Sequence, residues 1–118
     1  MSTAFGTNTL ATVNAVRVDI HDTDFFAQPD QYLLSYVSLT APRQITLPDC
    51  IDVLGNANKM YIVKDETGLA DVHNITIIGF GTIGVDRQPI DGDEAGIAIN
   101  SQKGALTLVS NGVSWYVV

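Results

Sequence analysis

The sequence has a single cysteine and few positive charges, and these two shortages exclude several classes of protein. Cys50 has no intramolecular partner, so a secreted scaffold held by disulfides is excluded and Cys50 is expected to be a small buried apolar residue. Six Lys and Arg residues stand against thirteen Asp and Glu residues, for a net charge of −7. The basic residues are scattered, and a surface of this charge repels phosphate backbones, so no nucleic-acid partner is expected.

The chain also lacks long apolar runs and a secretory leader. No apolar run approaches the roughly 18 residues that a membrane span requires, so no membrane partner is expected. The N-terminus has no basic segment followed by an apolar run. Because the chain begins with Met1 and has 118 residues, we expect a stand-alone soluble product with one domain. Charged residues make up only 16% of the chain, which suggests a surface that is partly neutral or covered by a partner.

Short β-branched and aromatic runs alternate with turn residues along the sequence. Val16, Val18 and Ile20 alternate with polar residues, which is typical of a half-buried strand. About eight such strands recur, and only Asp49–Gly55 is expected to form one or two helical turns. No repeat with a period of about 20 to 50 residues is visible. The pattern predicts an all-β domain, an antiparallel β-sandwich resembling a jelly roll, over residues 10–118. Residues 1–9 are expected to form a flexible arm.

Two hairpins are predicted from turn chemistry. The strand at Tyr61–Val63 is expected to join the strand at Asn74–Ile78 through a wide turn that begins at Lys64–Gly68. Asn111-Gly112 is the strongest short hairpin pattern in the chain. The C-terminal strand Val113–Val118 is therefore predicted to pair back on the strand before this turn.

A glycine motif and two acidic segments are the candidate ligand sites. Gly79–Gly84 matches G-x-G-x-x-G, but Val85–Pro89 is not a helix start, so glycines in a turn or bulge are the preferred interpretation. Asp91–Glu94 lacks the spacing of a calcium loop, and His21–Asp24 offers too few ligands for a zinc site. We therefore predict no metal and no cofactor.

No nucleophilic constellation is present either. Cys50 has no adjacent base, and the sequence has no G-x-S-x-G motif. We therefore predict that the protein is not an enzyme. Pairs of carboxylates for glycoside hydrolysis remain possible, because sequence spacing does not fix their separation in space.

Trp115 and Tyr116 are adjacent in the last predicted strand and must face opposite sides of it. Trp115 is expected in the core, since Trp is highly buried on average. Tyr116 is the better candidate for a subunit contact, because aromatic residues are enriched at interfaces.

Four pieces of the sequence, taken in order, resemble a module of tailed-bacteriophage structural proteins. The pieces are a Y-x-V-K-D-x-x-G-x-A segment, an N-I-T-I strand, an I-D-G turn and a closing L-x-S-x-G-x-x-W-Y hairpin. In this chain they lie at residues 61–70, 74–77, 90–92 and 106–117, and the strand Ile45-Thr46-Leu47-Pro48 fits the usual start of the module. The resemblance covers residues 44–118.

The resemblance implies a non-enzymatic β domain, usually homotrimeric, from a tail fibre, a baseplate or a capsid-decorating protein. A chain of this length leaves no room for a fibre shaft, so we expect a trimeric decoration, or cement, protein that binds the major capsid protein on the head surface of the virion. The arm Ser2–Thr9 is expected to become ordered on binding. Ser2, Phe5 and Tyr116 are the expected interface residues.

Two other classes stay open. One is a tail-fibre or baseplate component, or a receptor-binding tip whose loop Asp86–Gly96 faces a host receptor. The other is a carbohydrate-active enzyme with opposed carboxylates.

Overall fold

The computed structural model describes residues 16–50 and 59–118, and within these ranges every regular element is a β-strand. The predicted arm, and all of the predicted helical segment except Asp49 and Cys50, lie outside the described residues. No helix in the described ranges is long and apolar enough to cross a membrane. The strands are β1 (Val16–His21), β2 (Phe25–Phe26), β3 (Gln31–Ser38), β4 (Arg43–Thr46), β5 (Met60–Asp65), β6 (Ile75–Ile78), β7 (Ile97–Ile99), β8 (Ala105–Ser110) and β9 (Trp115–Val117).

The strands form two sheets, and the chain winds between them. One sheet has the order β1-β3-β5-β8-β9 and the other the order β2-β4-β6-β7. Up to β6, consecutive strands alternate between the sheets, so each sheet receives a new strand once per turn of the winding. Because each strand returns in the same direction, β1, β3 and β5 are parallel, and so are β2, β4 and β6. Strands β7, β8 and β9 then add by antiparallel pairing.

The all-β prediction is confirmed, but the sheets are mixed where antiparallel sheets were predicted. The expected hairpin of Tyr61–Val63 with Asn74–Ile78 is wrong, because β5 and β6 lie in different sheets. A turn after a strand does not reveal whether the next strand pairs with it or crosses to the facing sheet. The closing hairpin at Asn111-Gly112 is confirmed, with Ser110 opposite Trp115.

The core lies between the two sheets and consists mainly of aliphatic side chains with three large aromatic ones. Trp115 is fully buried and packs on Tyr61, with 5.8 Å between the ring centroids. The hydroxyl of Tyr61 donates a hydrogen bond to the carbonyl of Gln28 (2.7 Å), and the hydroxyl of Tyr36 donates one to the carbonyl of Thr23 (2.8 Å). These two core rings therefore tie the later strands to the connections that flank β2. Burial raises the pKa of both tyrosines, so the hydroxyls stay protonated donors.

The carboxylate of Asp65, which has no exposed surface, holds the chain where it leaves β5. Its Oδ1 accepts hydrogen bonds from the N–H and hydroxyl of Thr67 (2.9 and 2.5 Å) and from the N–H of Gly68 (3.1 Å). Its Oδ2 accepts from the N–H of Ala70 (3.0 Å) and from the N–H of Lys103 (3.1 Å) in the β7–β8 connection. Burial raises the pKa of this carboxyl, but the hydrogen bonds outweigh it and leave the pKa below its ordinary value.

We predict that Asp65→Asn destabilises the protein by about 2–3 kcal/mol at pH 7, because an amide would turn its own N–H groups toward one set of these donors. Because the pKa of Asp65 is lower in the folded state, the ionised carboxylate stabilises the fold at pH values above the ordinary pKa of 3.8. This stabilisation is lost as the pH falls below that value. The difference between wild type and variant should therefore shrink below about pH 4. Urea unfolding across the pH range measures it.

The matched control is Asp71→Asn, which changes an exposed acid that accepts a 3.3 Å hydrogen bond from Gln102. Its cost is expected to stay within about 0.5 kcal/mol. Equal costs for the two variants would contradict the role of Asp65 in holding the corner.

Candidate interaction surface

The longest connection between the described strands is the loop of residues 79–96, which joins β6 to β7. Connections of this length in compact domains are usually functional or disordered. This one is fixed at its middle, because Ile90 is buried in the core. The backbone around Ile90 also bonds to β9: the N–H of Trp115 donates to Pro89 (3.2 Å), and the N–H of Asp91 donates to Trp115 (3.0 Å).

The second half of the loop contains a tight turn at Asp91-Gly92. Ile90 and Asp93 exchange both backbone hydrogen bonds, each at 3.0 Å. Asp91 and Gly92 have φ angles of 50° and 82°, the positive values that a two-residue type I′ turn requires. The turn that the sequence predicts in this segment is therefore present. It carries exposed carboxylates at Asp91, Asp93 and Glu94.

The first half of the loop contains the G-x-G-x-x-G match. This segment forms a turn, as the sequence predicts. A Cβ on Gly79 would lie 1.9 Å from the carbonyl oxygen of Gln88, and Gly81 and Gly84 have positive φ. The carbonyl of Thr82 accepts hydrogen bonds from the three N–H groups of residues 85–87. No helix N-terminus follows, so this segment lacks the element that holds a pyrophosphate.

Gln88 connects the loop to the segment after β4. Its Oε1 accepts a hydrogen bond from the N–H of Cys50 (2.9 Å), and its Nε2 donates one to Asp49 Oδ1 (2.6 Å). Cys50 is fully buried, as predicted, and burial raises the pKa of its thiol. The thiol therefore has the character of a small core residue and not of an activated nucleophile.

The loop presents apolar side chains to solvent. Phe80, Ile83 and Val85 are 46%, 57% and 80% exposed. We call residues 79–96 the loop surface. Apolar side chains that are exposed together on an ordered segment are typical of interaction sites.

Strand β9 borders the loop surface. Asp91 Oδ1 accepts a hydrogen bond from the N–H of Val117 (3.1 Å). Trp115 is fully buried and Tyr116 is 42% exposed, which confirms that they face opposite sides. The contact role of Tyr116 stays a prediction. Ser2 and Phe5, the other two expected interface residues, lie outside the described residues.

A groove of about 390 Å³ lies between two exposed phenylalanines, Phe26 and Phe80. The adjacent phenylalanines Phe25 and Phe26 form β2, with Phe25 half-buried and Phe26 outward. The adjacent aromatic pair was the available indication of a strand. The other described residues that line the groove are Ala27, Gln28, Pro29, Thr46, Leu47, Pro48 and Asp49.

All six basic residues lie within the described ranges, and each is bound to a group of the chain itself. Arg17 pairs with Asp19 and Glu66, and Arg43 pairs with Asp22. The remaining four donate to backbone carbonyls: Lys59 to Gln31, Lys64 to Lys103, Arg87 to Gly81 and Glu94, and Lys103 to Glu66. A neutral carbonyl does not cancel the charge of Lys or Arg, so the negative field of the surface follows from the excess of thirteen acidic over six basic residues.

The two acidic segments that are candidate metal sites serve the fold. Asp22 accepts hydrogen bonds from the N–H of Thr40 (2.7 Å) and from Arg43 (3.0 Å), and the bonds from Thr40 are the main cause of its lowered pKa. Asp93 accepts from the N–H of Ala95 (2.8 Å). In the part of the chain that the structure describes, no group of three His, Cys, Asp or Glu side chains is placed to share a metal ion.

Comparison with protein-family models and with curated proteins gives no match to this chain. The function is therefore inferred from the residues and their geometry.

We predict that Gly96→Ala destabilises the protein by about 3 kcal/mol or more, because the added Cβ would lie 2.0 Å from the carbonyl oxygen of Ile77 and push β6 from β7. Gly84→Ala is the matched control, since Gly84 also has positive φ but open space around it. It should cost only the roughly 1–2 kcal/mol of an alanine in this backbone region. Thermal unfolding followed by circular dichroism compares them. Equal costs would show that Gly96 is needed for its φ angle alone.

Proposed function

We propose that the chain is a structural protein of a tailed-bacteriophage virion, and that it acts as a homotrimeric decoration protein that binds the major capsid protein and stabilises the head shell. The observation that carries the proposal is the resemblance over residues 44–118, together with the positions of its motif residues in the turns and the core of this fold.

The K-D-x-x-G-x-A piece builds the corner after β5. Asp65 accepts the hydrogen bonds that hold this corner, and Gly68 adopts a φ of +81° that favours glycine. Ala70 is fully buried and donates its N–H to Asp65. The spacing of the motif therefore has a structural cause.

The other pieces also serve packing and turns. Ile75 and Ile77 of the N-I-T-I strand are fully buried. Ile90 of the I-D-G piece is in the core, and its Asp91-Gly92 forms the tight turn. Trp115 of the closing hairpin is buried. The motif residues therefore account for the β domain that the resemblance implies.

The surface supports a protein partner. The carboxylates outnumber the cations, and every cation is engaged within the chain. Exposed apolar side chains on the loop surface provide contact area. In a trimer these contacts would be repeated around a threefold axis, and multivalent attachment strengthens modest individual contacts.

The alternative within the virion is a tail-fibre or baseplate component, including a receptor-binding tip. It uses the same β domain and the same loop surface, with a host receptor as partner under the tip version. The position of the protein on the particle separates the two proposals.

Immunogold labelling of intact virions with an antibody to this chain tests the proposal. We expect gold spread over the head. Gold confined to the tail would contradict head decoration and favour the tail-fibre or baseplate alternative. Particles without gold, alongside a labelled control for a known shell protein, would overturn the virion assignment.

A further inference from the structure

We propose that the loop surface docks a basic segment of a partner protein that carries apolar side chains, with Ile83 and Val85 as its anchors. The inference deepens the proposed function. It rests on that function only for the statement that the partner is a virion protein.

The anchors stand on an ordered backbone. The carbonyl of Thr82 accepts the N–H groups of Val85, Asp86 and Arg87 at 3.0–3.1 Å. The two halves of the loop are joined where the N–H of Gly84 donates to Glu94 Oε1 (2.8 Å). A surface that is already fixed loses little conformational entropy on binding.

The anchors are exposed although the same loop also contains a core residue. Ile83 and Val85 are held in solvent while Ile90, in the same loop, is fully packed in the core. The loop could have carried polar residues at these exposed positions with no loss of packing. Exposed apolar side chains on an ordered loop that also carries charges are candidates for a contact site.

The charges decide the chemistry of the partner. Four exposed carboxylates lie in the loop surface, at Asp86, Asp91, Asp93 and Glu94. Arg87, the one basic residue there, is bound to the carbonyls of Gly81 (2.8 Å) and Glu94 (3.3 Å). A segment with Lys or Arg beside apolar residues would be attracted and correctly oriented.

The same charges argue against pairing of this surface with the same surface of a second copy. Two loop surfaces that met around a twofold axis would bring their carboxylates together, and like charges that face each other across an interface are unfavourable. A nucleic acid is disfavoured for the same reason.

The test is a titration of the ¹⁵N-labelled protein with model dodecapeptides, followed by NMR. One peptide alternates valine with lysine. A second replaces lysine with glutamate, and a third replaces valine with serine. We expect the valine–lysine peptide to bind, with chemical-shift changes concentrated in residues 79–96, and the other two to bind much more weakly.

Ile83→Ser with Val85→Ser should weaken binding of the valine–lysine peptide roughly tenfold, about 1.4 kcal/mol. The matched control is Leu69→Ser with Val72→Ser, since both residues are also exposed but precede β6 instead of following it. It should leave the affinity unchanged. Because all four side chains are exposed, the spectra of both variants should keep the wild-type fold.

The charge contribution is tested by Asp93→Asn with Glu94→Gln, which keeps the acceptor oxygens for Ala95 and Gly84. Asp30→Asn with Asp71→Asn is the control of equal net charge. Only the first pair should weaken binding.

Equal binding of the serine–lysine peptide, shift changes away from the loop surface, or no effect of the anchor variants would overturn the inference. So would self-association of the wild type that Ile83→Ser with Val85→Ser abolishes in sedimentation velocity, since a second copy would then be the occupant. Because the peptides require no virion, failure of this titration and failure of immunogold labelling are distinguishable.

Discussion

Asp65 supplies the hydrogen-bond acceptors inside the corner where the chain leaves β5 for the facing sheet. The N–H groups of Thr67, Gly68 and Ala70 have left the strand ladder at this point, and unpaired buried donors are costly. The same carboxylate also fixes the N–H of Lys103, so it joins two connections that are distant in sequence. Five hydrogen bonds offset the cost of burying the charge. No neutral side chain of this size offers acceptors alone on both of its terminal atoms.

Other polar side chains fix the remaining corners of the winding in the same way. Asp22 bonds to Thr40 and Arg43, and thereby ties the β1–β2 corner to the β3–β4 connection. The hydroxyls of Tyr36 and Tyr61 reach carbonyls in the first turn of the winding. A fold held by such cross-links uses its most distinctive motif residues for architecture. We infer that function lies in the surface left over, where the β6–β7 loop exposes apolar side chains among carboxylates.

Features that depend on sequence neighbours were predictable, whereas those that depend on distant residues were not. The Asn111-Gly112 hairpin and the opposite faces of Trp115 and Tyr116 follow from local turn chemistry and strand alternation. The parallel winding does not follow from local sequence. Val18 pairs with Leu34, and Leu34 pairs with Val63, so the sequence separation between paired residues is not constant and no repeat is visible. An acid in a turn is ordinarily solvated. The burial of Asp65 depends on the β7–β8 connection, whose approach no local pattern reveals.

Native-state amide hydrogen exchange tests most directly the claim that Asp65 holds the winding together. If it does, the amides of Ala70 and Lys103, both in turns, should exchange as slowly as the core amides of β5 and only through global unfolding. If these two amides exchange as fast as exposed turn amides while β5 remains protected, the corner opens independently of the sheets, and the central role of Asp65 in the fold would be contradicted.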